Sequence, residues 1–380
     1  MKSKFILAGV AALATAGVVS MTATTALADP PSGTYRTYAA VGSDTIQDLW
    51  NNLANSGGAL AGDSIASYNA FTSPATTTIQ TKSAGATFTR PTGSGEGIKA
   101  LSAVWDSSYT SHLYQGTALT HDEVDFARSS SRPSGTGTAL TYIPLARDAV
   151  SVAYHPTTGL AAGLNLTTSE LTSLYDGVDV AGDQVTFVSG LPRVNGVAVQ
   201  PKIPQSGSGT RSFFLGAIGV GGSGQPALAS YVESSSSPST LQENTGASIP
   251  NAGDLIPFSA AQWIAQTKGT VTSTIASDAI ASINGNAATT GSGASTAPGP
   301  LFGATNAAGR YNVAPTGGVG GFNRDTYDVV DTTNLNNDLS LQVALESDVD
   351  TTAAQTAIKS FGFGLLSYVG STSLTGPYVH

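Results

Sequence analysis

Residues 199–215 read VQPKIPQSGSGTRSFFL. Residues 199–203 have strand character. They run into the turn Gln205-Ser206-Gly207-Ser208-Gly209-Thr210, and Phe213, Phe214 and Leu215 then open a helix. The same order occurs twice upstream. Residues 35–41 read as a strand, Gly42-Ser43-Asp44-Thr45 as a turn, and Ile46, Leu49, Trp50 and Leu53 stand at helical spacing. Residues 87–92 lead into Gly93-Ser94-Gly95-Glu96-Gly97, after which Ile98, Leu101, Val104 and Trp105 repeat the helical spacing. Residues 64–71 and 124–127 are further strand segments, the second ending in Arg128-Ser129-Ser130-Ser131-Arg132-Pro133. Residues 140–145 and 149–154 are two apolar β-rich runs. Residues 167–175 form a capped helix with Glu170 in its first turn. Alternating strands and helices predict an α/β protein with mostly parallel sheets.

The chain has 380 residues, no cysteine, four histidines and only 11% charged residues. With 40% hydrophobic residues it can fill a core, so it is not a disordered protein. A disulfide scaffold and a thiolate zinc site are excluded. The net charge of −9 argues against a nucleic-acid binder, which needs a basic face. Residues 1–28 have the order of an export signal. Lys2 and Lys4 precede an apolar stretch, and Ala26-Leu27-Ala28 fits a cleavage site. No cysteine is available for a lipid anchor, so the expected product is secreted, soluble and not a lipoprotein.

The three Gly/Ser/Thr turns carry the chemistry. A helix N-terminus presents unpaired N–H groups and about half a positive charge. Glycine admits a close approach, and serine or threonine adds a hydroxyl donor. Three such termini at one cleft make a site for a small oxyanion. Arg128, Arg132 and Arg211 stand beside these turns, among only nine arginines. No G-x-S-x-G elbow, Walker A loop, dinucleotide fingerprint between a strand and a helix, or EF-hand is present. His112, His121 and His155 have no motif joining them to a nucleophile, and His121-Asp122-Glu123 lacks a second spaced metal partner. The expectation is therefore a non-enzyme without cofactor or metal. Trp50, Trp105 and Trp263 could stack on a sugar, but at helical spacing they read as core.

With these blocks in order, the chain resembles the phosphate-binding, PstS-like solute receptors of ABC transporters, in the type II periplasmic-binding-protein superfamily. Residues 41–45 match the first ligand loop and 93–98 the second. Residues 125–130 match the D-F-x-x-S-D run, and Gly207-Ser208-Gly209-Thr210 followed by Phe213-Phe214 matches G-S-G-T. The resemblance implies two α/β lobes around a ligand cleft. Lobe one is expected at 29–148 plus 308–380, and lobe two, inserted, at 149–307. Ser94, Ser208, Gly209 and Thr210 are then the leading oxyanion donors. Ser43, Asp44 and Thr45 form the first loop, with Asp44 and Thr45 acting mainly through the backbone, and Ser129 and Ser130 belong to the third.

Two positions depart from the family. Ser130 stands where it has an aspartate that accepts a hydrogen bond from protonated phosphate, and Pro204 stands where it has an arginine. The expected substitutes are Arg128, Arg132 or Arg211 for the charge and Asp44 for the acceptor. The resemblance implies inorganic phosphate or a similar anion as ligand, an ABC permease as partner, no nucleic acid, and a monomer. The alternative is a secreted receptor fold without a transport role, binding an organophosphate, a carboxylate or a surface partner.

Overall fold

The computed structural model describes residues 29–55, 57–72, 75–119, 123–234 and 241–380. The expected export signal, 1–28, lies outside these residues, as do His121 and Asp122. Among the described residues no helix is long and apolar enough to cross a membrane.

The architecture turns on one strand, Leu140–Tyr154, whose 15 residues are all buried. Strands usually run about 3–10 residues. The sequence predicts two runs here because Arg147 and Asp148 interrupt the apolar pattern. The structure fuses them because the charges are paired across the sheet. Strand Asn323–Asp331 lies antiparallel, with Arg324 opposite Asp148 and Asp325 opposite Arg147. The ion pairs measure 2.8 Å for Arg324–Asp148 and 2.7 Å for Arg147–Asp325, all four side chains being almost fully buried. Reciprocal pairing makes burial of these charges tolerable.

The long strand joins two wings. Its residues 140–149 pair with Asn323–Asp331, and residues 150–154 pair with Asp254–Ser259. On one side the sheet continues through Phe126–Ser129, Tyr38–Gly42 and Ile65–Ser67. On the other it continues through Gln200–Ile203 to Glu233–Ser234. The outer pairs of each wing are parallel. The central ones are antiparallel, so the expectation of mostly parallel pairing holds only at the wings. Alternate residues feed two cores: Tyr38 and Ala40 enter one, Ala39 and Val41 the other. That period of two places packing layers on both faces of the sheet. Trp50 and Trp263 are core residues, as their spacing predicts.

The helices begin where the turns predict. They span Ser94–Trp105, Thr168–Asp176 and Gly209–Ile218. Thr167 and Glu170 form a reciprocal capping box, and Ser208 caps the third helix through the Arg211 N–H. The first helix is short, Gln47–Trp50, and widens into a π turn over Asn51–Asn55.

Asp328 on the Asn323–Asp331 strand is fully buried. It accepts a 2.8 Å bond from Trp50 Nε1, while its second oxygen has no partner. Burial pushes its pKa from 3.8 to about 8, against the pull of the Trp50 bond and of Arg128. Between these values the native state holds a proton that the unfolded chain releases. Stability therefore falls as pH rises across that window, by up to about 1.4 kcal/mol per pH unit. Asp328→Asn is expected to flatten the slope. Urea unfolding at about pH 5 and about pH 8 checks it, and parallel shifts in wild type and variant would refute it.

Candidate functional site

Glycines allow the turns to meet. Gly42, at φ +107°, lies against the Arg128 carbonyl and the Gly97 backbone, where a β-carbon does not fit. A β-carbon on Gly93 would sit 2.6 Å from the Gly207 carbonyl oxygen, and one on Gly209 would run into Ser94 Oγ and Ser130 Oγ. The 93–97 and 205–209 turns are therefore in direct contact. Gly95 N–H donates to Gly207 C=O at 3.1 Å, and Gln205 Nε2 donates to Thr92 C=O at 3.0 Å. Ser94 Oγ accepts from the Ser130 N–H at 2.9 Å and lies 3.2 Å from Ser130 Oγ. The Ser43 N–H donates to the Arg128 carbonyl at 3.0 Å, anchoring the first loop to the third.

Buried polar atoms without a partner are concentrated here. Among the described residues nine buried side-chain atoms have none. Five of them belong to this cluster: Ser43 Oγ, both Asp44 oxygens, Thr45 Oγ1 and Thr210 Oγ1. Buried polar groups are normally satisfied, and each orphan costs about 1–3 kcal/mol. Buried hydroxyls without partners, on loops that meet one another, can be satisfied together by one polar group.

Glu243 brings a second carboxyl to the cluster. It is buried and accepts a 2.9 Å bond from Ser208 Oγ. Burial, and then the facing Glu243 carboxyl, push the Asp44 pKa well above the ordinary carboxylate range, while Arg324 pulls it down. A negative charge facing a buried carboxyl disfavours its ionised form, so burial and Glu243 act on Asp44 in the same direction. Arg324 is the cation at the border of the cluster. It is held at 2.8 and 3.0 Å by Asp148, donates to the Ser130 carbonyl at 3.2 Å, and lies 5.6 Å from the Phe213 ring centre.

The structure thus brings together Ser43, Asp44, Thr45, Ser94, Ser130, Ser208, Gly209 and Thr210. The other four expected residues have different placements. Arg128 is fully buried, and all five of its N–H groups are bonded within the protein, to the carbonyls of Ala40, Gly42, Ser43 and Tyr68 and to Ser67 Oγ. It has no donor left for an anion and acts as scaffold. Arg211 turns back to the Pro204 carbonyl at 2.7 Å and Ser234 Oγ at 2.9 Å. Arg132 is exposed and donates to the Pro315 carbonyl. Ser129 Oγ donates to the Ser131 carbonyl at 2.9 Å, closing its own turn. Sequence reasoning missed Glu243 and Arg324. The signal for Arg324 is the pairing of Arg147-Asp148 with Arg324-Asp325, legible only once the strand register is known.

No protein-family model matches the chain, and no curated protein matches it. Solved structures do. One is a candidate phosphate ABC transporter substrate-binding protein with bound phosphate from Clostridium perfringens. It is 12% identical, with a TM-score of 0.51 over 87% of this chain and 99% of that one. The chain has the two-lobed α/β fold of a phosphate-binding receptor. An ABC-type phosphate transport receptor from Vibrio cholerae aligns at 13% identity over 86% of this chain and 99% of that one, with a TM-score of 0.49. The resemblance read from the four loop blocks holds at the level of the fold, and the first of these alignments extends it well beyond residue 215.

Proposed function

We propose that this protein is a solute receptor that captures phosphate or a closely related oxyanion in the cleft between its lobes, outside the cytoplasm, for uptake through an ABC permease. The observation that carries the reading is the set of unpartnered hydroxyls, Ser43, Thr45 and Thr210, converging with the starts of helices Ser94–Trp105 and Gly209–Ile218. Ser94, Ser130, Ser208 and Gly209 complete the cradle, and Asp44 faces Glu243 at its edge. Lobe one comprises 29–148 and 308–380, lobe two 149–307, and the working form is a monomer. No catalytic step is assigned to these residues.

Isothermal titration of dialysed protein with phosphate and then sulfate tests the reading. Saturable micromolar binding of phosphate, about 8 kcal/mol, is the expected result. Absence of heat with both anions, after bound ligand has been removed, would overturn it. Thr210→Val separates ligand contact from structural support. The hydroxyl has no partner in the protein, so its loss leaves stability unchanged or raises it. Anion affinity is expected to fall about tenfold, the loss of one hydrogen bond of about 1.5 kcal/mol to a charged group. A drop in melting temperature with unaltered affinity would assign Thr210 to the fold instead.

A further inference from the structure

A cavity of about 280 Å³ opens beside the oxyanion cluster, lined by Arg132, Ser212, Phe213, Gly216, Pro315 and Gly318. Ser130 and Arg324 border both spaces. Helix Gly209–Ile218 joins them. Positions 209, 212, 213 and 216 fall at helical offsets of zero, three, four and seven, so they form a single stripe. Gly209 lies in the cluster against Ser94 and Ser130, and Gly216 lies in the cavity. At about 1.5 Å per residue the stripe is about 10 Å long.

The lining of this cavity differs from that of the cluster. Phe213 and Pro315 present apolar surface, Ser212 a hydroxyl, and Arg132 an exposed cation. A β-carbon on Gly216 would meet nothing within 4 Å, so the missing side chain leaves room along the stripe. Apolar surface edged by hydroxyls and a cation suits a hydroxylated carbon skeleton. The volume is at the small end for a ligand pocket, which limits the occupant to about the size of one sugar ring.

We propose that the site also accepts phosphate monoesters of small polyols, glycerol to hexose in size. The phosphoryl group occupies the cluster and the polyol follows the 209–216 stripe into the cavity. This rests on the oxyanion reading above. No bond is made or broken, since the ester is bound intact.

The test is titration of wild type and Gly216→Phe with inorganic phosphate, glycerol 3-phosphate and glucose 6-phosphate. Gly216 is exposed and helical, and its backbone is not left-handed, so phenylalanine fills the cavity without straining the fold. Gly216→Ala, which adds little volume, is the control for folding and melting temperature. Expected in wild type is binding of at least one ester within about tenfold of phosphate. Gly216→Phe is expected to weaken that ester at least about tenfold while phosphate stays within about twofold. Phosphate binding without ester binding would overturn the inference and leave the oxyanion reading standing. So would equal weakening of both by Gly216→Phe with Gly216→Ala intact. Failure of all three ligands with wild type would overturn both.

Discussion

Replacing Asp44 with asparagine is expected to make sulfate binding nearly independent of pH, whereas the wild type loses affinity on the alkaline side. The Asp44 carboxyl is buried among unpartnered hydroxyls, and burial together with the facing Glu243 carboxyl holds its proton well above the usual range. The cations that act on it are Arg324, which pulls its pKa down, and Arg128, behind the first loop. Protonated, the carboxyl is neutral and its O–H can donate. Ionised, it places a second negative charge beside the bound anion in a poorly screened interior. Each pH unit above its folded pKa then removes about tenfold in affinity, because binding requires uptake of one proton. Sulfate is the informative probe, since its own charge is constant over this range while phosphate titrates. The asparagine side chain of the variant retains a donor and has no proton to lose. Titrations of sulfate at a series of pH values decide the matter. A flat wild-type profile, or the same slope in Asp44→Asn, would show that the Asp44 carboxyl does not govern capture.

What was legible in the sequence follows the range of the interactions. The strand–turn–helix units at 35–53, 87–105 and 199–215 are local. Their glycines, caps and helical spacing are set by neighbours a few residues away, and the helices begin where those signals stand. The long strand reads as two because Arg147 and Asp148 look like a break until their partners, 178 and 176 residues later, are placed opposite them. Glu243 and Arg324 are invisible for a related reason. Neither belongs to a turn motif, and each enters the site only through tertiary packing. Arg128, Arg132 and Arg211 stand out in the sequence because they adjoin the turns. A long, flexible side chain can point away from its own loop, and the bonds of these three go to backbone carbonyls, that of Ser43 among them, and to the hydroxyls of Ser67 and Ser234. Proximity along the chain predicts which loops converge, not which long side chains follow them in.

Arg128 shows the distinction most sharply, and its removal is expected to produce the largest loss of stability of any substitution considered. Its five N–H groups bind four carbonyls and one hydroxyl at 2.6–3.3 Å, stitching the 40–43 loop to residues 67 and 68. Burial pulls its pKa down to about 10, with Asp328 the leading carboxylate resisting that pull, so the guanidinium remains charged at neutral pH. Arg128→Met removes a buried charge, which offsets part of the loss, but leaves several carbonyls with an unmet lone pair in the interior. At about 1–3 kcal/mol for each unsatisfied group, a net destabilisation of about 4 kcal/mol is expected, in the range that marks a broken buried network. Arg128→Lys keeps the charge and loses the planar fork, so it is expected to recover only about half. Urea unfolding measures both. If Arg128→Met instead unfolds within about 1 kcal/mol of wild type while phosphate binding disappears, the guanidinium is a ligand contact after all, and the scaffold assignment fails.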